Sequence, residues 1–154
     1  MTRSILMMFT LLSSVLLGGC GADYGTDQNG RAVTAAELEK QWLVVNYWAE
    51  WCGPCRKEIP ELNALADELK GRGVTVVGVN FDNVQGEELK KAAEALGIRF
   101  TVLAQDPAAR FELPRSEALP VTYLIDPNGK VREQMLGEQT GAGIKARLAA
   151  LKGA

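Results

Sequence analysis

The sequence predicts an α/β domain in which a mixed β-sheet lies between helices and ends in an antiparallel hairpin. Three observations predict it. Residues 42–48, WLVVNYW, and 74–80, VTVVGVN, are rich in β-branched and aromatic residues and apolar on both faces, the pattern of strands covered on both sides. The segments that follow them, 55–70 and 86–96, carry apolar residues at helical spacing. Two later β-rich runs flank the turn Asp126-Pro127-Asn128-Gly129.

Taken in order, residues 21–31 are polar and glycine-rich, and Asn29-Gly30 is a turn signal that closes a small hairpin. Thr34 and Glu37 have capping-box spacing, so a short helix starts there. After the 42–48 strand, Ile59, Leu62, Leu65, Ala66 and Leu69 form one apolar stripe on a helix over 55–70, which Gly71 and Gly73 stop. Pro60 lies inside that helix and is expected to kink it. The 74–80 strand leads to a charged amphipathic helix over 86–96 that ends at Gly97. A short strand near 100–103, an irregular segment, a strand over 121–126, a strand over 130–136 and a helix over 140–151 complete the chain. Asp106-Pro107 and Asp126-Pro127 read as turn or helix-start signals. No internal repeat or linker divides this part of the chain, so it reads as one domain.

The chain has 154 residues and a net charge of −2, with no long basic block, which argues against nucleic acid as a partner. It contains no histidine. That excludes His-based acid/base catalysis, Ser-His and Cys-His pairs, and imidazole ligation of metal or haem. The first twenty residues differ from the rest: Arg3 is followed by a largely apolar run, Ile5 to Leu17, and then by Leu17-Gly18-Gly19-Cys20. A run of this length is short for a bilayer span, which takes ~20 residues, and fits a secretory signal peptide better than a membrane anchor or a buried helix. Leu17-Gly18-Gly19-Cys20 resembles a bacterial lipobox. The resemblance implies a leader over 1–19 and lipidation of Cys20; the lipidated N-terminus then forms a tether and hairpin start over 20–31, and the folded domain is expected over 24–154. It also implies a periplasmic or extracytoplasmic protein held to a membrane by its N-terminal lipid. Asp23 stands one place too late for the inner-membrane retention signal of enterobacterial lipoproteins, which leans toward the outer membrane.

Cys52 and Cys55 follow a buried strand and open a helix. A zinc site would need further Cys or His ligands; there is no His, and the only other cysteine is Cys20. A purely structural disulfide over so short a loop constrains the unfolded chain little. A redox pair has a mechanism here. Free N–H groups and the positive dipole end at a helix N-terminus favour thiolate over thiol and lower a thiol pKa from ~8.5 toward ~3.5–7.5. Cys52 would then be the nucleophile in disulfide exchange and Cys55, one turn in, the resolving thiol. Gly53 and Pro54 close the turn between them, and Pro suits a first helical turn because its missing N–H is not needed there.

WCGPC after a hydrophobic strand resembles thioredoxin. RKEIPEL after it and ALPVTYLIDPNGKV some sixty residues on are similar to the TlpA/ResA branch of extracytoplasmic thioredoxin-like proteins. The resemblance covers roughly residues 24–151. It implies a thioredoxin-like fold with Cys52 and Cys55 as the redox pair and Pro120 as a cis-proline facing them. It also implies that Leu119, before it, offers backbone hydrogen bonds to the substrate chain. Cytoplasmic thioredoxins keep a buried Asp six residues before the first cysteine; this chain has Asn46, which cannot titrate. The TlpA/ResA branch carries a Glu three residues after the second cysteine, and Glu58 matches it.

Glu58 is expected in the first turn of the active-site helix, where a carboxylate suits the dipole. There it either tunes the thiols and relays protons or is a solvated helix-start acid. Trp48 reads as core, Trp51 as a residue that shields the disulfide and contacts substrate, and Glu50 as a solvated acid.

The sequence therefore points to a monomeric, lipid-anchored thiol–disulfide oxidoreductase that needs no cofactor and reduces disulfides of protein clients. By family resemblance, a membrane electron donor re-reduces it, and clients such as an apocytochrome c or a copper-site protein belong to the same class. A disulfide-forming oxidase of the same fold and a non-catalytic partner-binding lipoprotein are the alternatives. A peroxidase lacks a separate peroxidatic cysteine.

Overall fold

The computed structural model describes residues 23–153; the leader and Cys20 lie outside the described residues. The elements run α1 (Ala35–Leu38), β1 (Trp42–Trp48), α2 (Gly53–Leu69), β2 (Val74–Asn80), α3 (Gly86–Ala95), β3 (Thr101–Leu103), α4 (Ala108–Phe111), β4 (Val121–Ile125), β5 (Val131–Leu136) and α5 (Gly141–Lys152). The five strands form one sheet in the order β3-β2-β1-β4-β5. β1, β2 and β3 are parallel, whereas β4 and β5 are antiparallel to their neighbours. This is a thioredoxin-like α/β fold.

Residues of β1 alternate between two apolar layers, as the period of two in a strand demands. Trp42, Val44 and Trp48 pack with Ile59, Leu62 and Leu65 of α2, Leu89 of α3, and Ile144 and Leu148 of α5. Leu43, Val45 and Tyr47 face the other layer, with Tyr24, Val33, Leu38 and Tyr123. Each of these side chains, once fully buried, contributes roughly 1.5–3 kcal/mol. All seven β1 residues are buried, which explains why its sequence is apolar on both faces.

The small N-terminal hairpin is present. Thr26 bridges Ala32, and Asp27 bridges Leu103, so the segment continues the sheet beyond β3. Glu37 reaches back to accept from the Thr34 N–H at 2.8 Å. In the 126–129 turn, Gly129 has a φ of 77°, which a side-chain-bearing residue adopts only with strain, and its N–H donates to the Asp126 carbonyl.

Two elements depart from expectation. The segment after β3 is not wholly irregular but contains α4, a single turn begun by Asp106, whose Oδ1 accepts from the Ala108 N–H at 2.8 Å. The active-site helix begins at Gly53, not at residue 55. Cys52 is its N-cap and Pro54 lies in its first turn, so the Gly-Pro pair is helical rather than a preceding turn. Glu58 is therefore the sixth residue of the helix and not in its first turn. The dipole argument for a carboxylate at that place does not hold.

Candidate active site

The site lies at the end of the sheet where β1 runs out. Trp48 closes the strand, and the chain turns through Ala49 to Cys52, whose N–H donates to the Ala49 carbonyl. Cys52 and Cys55 form a disulfide with S–S 2.07 Å and Cα–Cα 5.3 Å. Cys52 Sγ accepts from the Cys55 N–H at 3.2 Å, so the sulfur itself caps the helix. Both cysteines are buried, Cys55 completely, while Gly53 and Pro54 between them are exposed.

Glu58 follows Cys55 by three residues and so shares its helix face. It has no exposed surface, which excludes the solvated helix-start reading. Its Oε1 accepts from Asn46 Nδ2 at 2.6 Å, and its Oε2 accepts from the Gln139 N–H at 3.0 Å. Burial pushes its carboxyl up to about 7; the bonds from Gln139 and Asn46 oppose the rise, and the Glu138 carboxylate adds to it. Asn46 projects from β1 toward α2 and also donates to Thr122 Oγ1 at 3.1 Å. Thr122 is its cross-strand partner on β4. The Asn46 Oδ1 is buried and has no hydrogen-bond partner among the described residues.

Trp48 is fully buried and Glu50 exposed, as expected. Trp51 is 67% exposed beside Cys52; its Nε1 donates to Asp82 Oδ2 at 2.8 Å, and its ring meets Phe81 edge-on with centroids 6.5 Å apart. The Leu119–Pro120 peptide bond is cis. Pro120 is buried, and its carbonyl accepts from the Gly137 N–H; among the described residues no hydrogen bond engages the Leu119 N–H or carbonyl.

Sequence reasoning treated Asn46 and Glu58 as separate positions, and the fold joins them. It missed Gln139, Phe81 and Asp82 altogether. Gln139 meets Glu58 across 81 residues of sequence, with no motif to mark it. Phe81 and Asp82 carried one faint signal: they directly follow a buried strand at the end where loops of parallel sheets gather functional residues.

A model of the AhpC/TSA family matches residues 20–134. Thiol-disulfide oxidoreductase ResA of Geobacillus thermodenitrificans is 30% identical over 145 residues, covering 94% of this chain and 83% of the relative. The protein of the same name from Bacillus thuringiensis is 32% identical over 115 residues, covering 75% of this chain and 66%, just under two thirds, of that relative. A crystal structure of a thiol:disulfide interchange protein of the thioredoxin family from Chlorobium tepidum superposes with a TM-score of 0.69 at 27% identity, covering 82% of this chain and 90% of that one.

Proposed function

The chain belongs to the AhpC/TSA family, among thioredoxin-like relatives of ResA type, and on that premise we propose that it is a protein thiol–disulfide oxidoreductase working through Cys52 and Cys55. The observation that carries this reading is the Cys52–Cys55 disulfide at the N-terminus of α2, with a buried carboxyl, Glu58, on the same helix face.

In the reduced protein, the Cys55 N–H that Cys52 Sγ accepts stabilises a Cys52 thiolate. That thiolate attacks one sulfur of a client disulfide; an S–S bond forms to Cys52, and the client's other sulfur leaves as a thiolate. Cys55, deprotonated, then attacks Cys52 Sγ. The mixed disulfide breaks, the second client thiolate leaves, and Cys52–Cys55 closes. The client gains two electrons and the dithiol loses them, with the two thiol protons passing to the client. Glu58, three residues after Cys55 on the same helix face, can take or return such a proton near neutrality. Trp51 and the Leu119 backbone groups, unpaired among the described residues, meet the client chain.

Reduction is the favoured direction because the Gly-Pro pair between the cysteines matches that of reducing thioredoxins. A membrane donor of reducing equivalents completes the cycle, and the Cys20 lipid holds the domain at an extracytoplasmic membrane surface, the outer membrane by the position of Asp23. Cys55→Ala is the direct test: it should trap client proteins as mixed disulfides on Cys52, which mass spectrometry identifies. Absence of any Cys52-linked protein would remove the reading. A Cys52–Cys55 reduction potential as oxidising as that of a disulfide-forming enzyme, ~−120 mV, would reverse the direction.

A further inference from the structure

A cleft of about 390 Å³ opens on the opposite face of the sheet from α2, at the same end as the disulfide. It lies between Phe81 and the Leu113–Ser116 segment, floored by Tyr47 and Tyr123. Both phenols are engaged within the protein: Tyr47 donates to Asp106 Oδ1 at 2.5 Å, and Tyr123 donates to the Pro114 carbonyl. Ser116 Oγ is likewise engaged with the Ala118 backbone. What the floor still offers is therefore ring surface, the aliphatic wall comes from Leu113, Pro114 and Val121, and the charged groups of the lining are Asp106 and Arg115. The cleft is continuous with the redox site on both sides. Phe81 touches Trp51, which precedes Cys52. Val121, another lining residue, follows Pro120, and the Leu113–Ser116 segment leads through Glu117 and Ala118 to Leu119, whose backbone has no hydrogen-bond partner among the described residues.

We propose that this cleft binds a bulky apolar side chain of an extended client segment, one or two residues from the client cysteine that Cys52 attacks. The inference rests on the oxidoreductase reading and names its substrate class: disulfides whose cysteine is flanked by Phe, Leu or a residue of similar size. The client backbone pairs with Leu119 while its apolar neighbour fills the space over Tyr47 and Tyr123. Arg115 at the rim makes no ion pair among the described residues and can donate to a client carbonyl or carboxylate.

The test uses reduced protein and short peptides whose single cysteine is in a mixed disulfide with glutathione. Reduction yields peptide thiol, glutathione thiol and the Cys52–Cys55 disulfide. Phe is placed at each of the two positions on either side of the cysteine, against Ser at the same positions. At one position at least, the Phe peptide should react about tenfold or more faster than its Ser counterpart. Ala108→Phe, which adds bulk to the cleft wall, should bring that ratio close to one, and Leu113→Ser, which removes apolar wall, should lower it in the same way should the first variant not fold. Equal rates for all peptides on the wild-type protein, or a ratio that survives in both folded variants, would overturn the cleft proposal alone. No reduction of any peptide would overturn the oxidoreductase reading and the cleft with it.

Discussion

Asn46 on β1 donates from Nδ2 to Glu58 Oε1 on α2 at 2.6 Å, with both side chains fully buried. An amide that cannot titrate thus stands against a carboxyl that burial has moved to about 7. The pair separates two functions that a single buried acid would combine. In the proposed mechanism Asn46 fixes position, and Glu58 carries the proton.

The first prediction concerns the thiols. Above about pH 7 Glu58 becomes a carboxylate on the helix face of Cys55, and a like charge disfavours thiolate formation. Alkylation of reduced Cys52 and Cys55, followed by mass across pH 5 to 9, should show an inflection near 7 that Glu58→Gln lacks. At pH 8 the variant's thiols should react roughly three- to tenfold faster. Unchanged profiles would end the proton-relay role.

Glu58 also links stability to pH. Below about 4.5 it is protonated in folded and unfolded chains alike. Between 4.5 and about 7 only the unfolded chain releases the proton, so the unfolded state binds fewer protons and stability falls as pH rises. That interval corresponds to at most about 3 kcal/mol, lost in full once the pH exceeds about 7. Urea unfolding of the oxidised protein, whose cysteines do not titrate, should show wild type losing about 2–3 kcal/mol relative to Glu58→Gln between pH 5 and pH 8. A constant difference between the two proteins would contradict this.

The strands were legible because β1 and β2 are apolar on both faces, and α2 because of its stripe from Ile59 to Leu65. α4 was not, since four residues carry no period. The start of α2 was misplaced by two residues because Gly-Pro is ordinary turn chemistry, and only the Cys52 cap makes it helical. With the helix starting at Gly53, Glu58 stands buried in the second turn and not in the first. Cys52 and Cys55 were legible from spacing; the environment of Glu58 was not, because it depends on Gln139 and on the β1 register. Local pattern marks the cysteine pair, whereas tertiary contacts set the environment of the carboxyl on the same helix face.

Gly78 tests the packing behind the site. It lies between Asn46 on β1 and Val102 on β3. A Cβ there would sit 2.9 Å from Phe100 Cε2, 3.0 Å from Trp48 Nε1 and 3.3 Å from Val102 Cγ2. Trp48 and Phe100 are buried rings in the same layer as α2 and have little freedom to retreat. Gly78→Ala should cost about 1–3 kcal/mol in urea unfolding, with an unchanged dependence on denaturant concentration. A variant as stable as wild type would mean that this layer is looser than its contacts imply.

Asn46→Asp places a second carboxyl where the amide now donates. Two carboxylates about 2.6 Å apart cannot both ionise without heavy cost, so the pair holds one proton between them and titrates with two separated values. The upper value should lie above the value of about 7 that Glu58 has beside Asn46. The inflection in thiol alkylation should therefore move to higher pH, and stability at pH 8 should fall by about 1–3 kcal/mol as the second proton is forced off. Asn46→Ala separates charge from the lost bond. It removes the donor without adding an acid, so the inflection should again rise, but by less, because the Gln139 N–H still holds Oε2. Should the inflection stay near 7 in both variants, the proton that governs the thiols would not reside on Glu58.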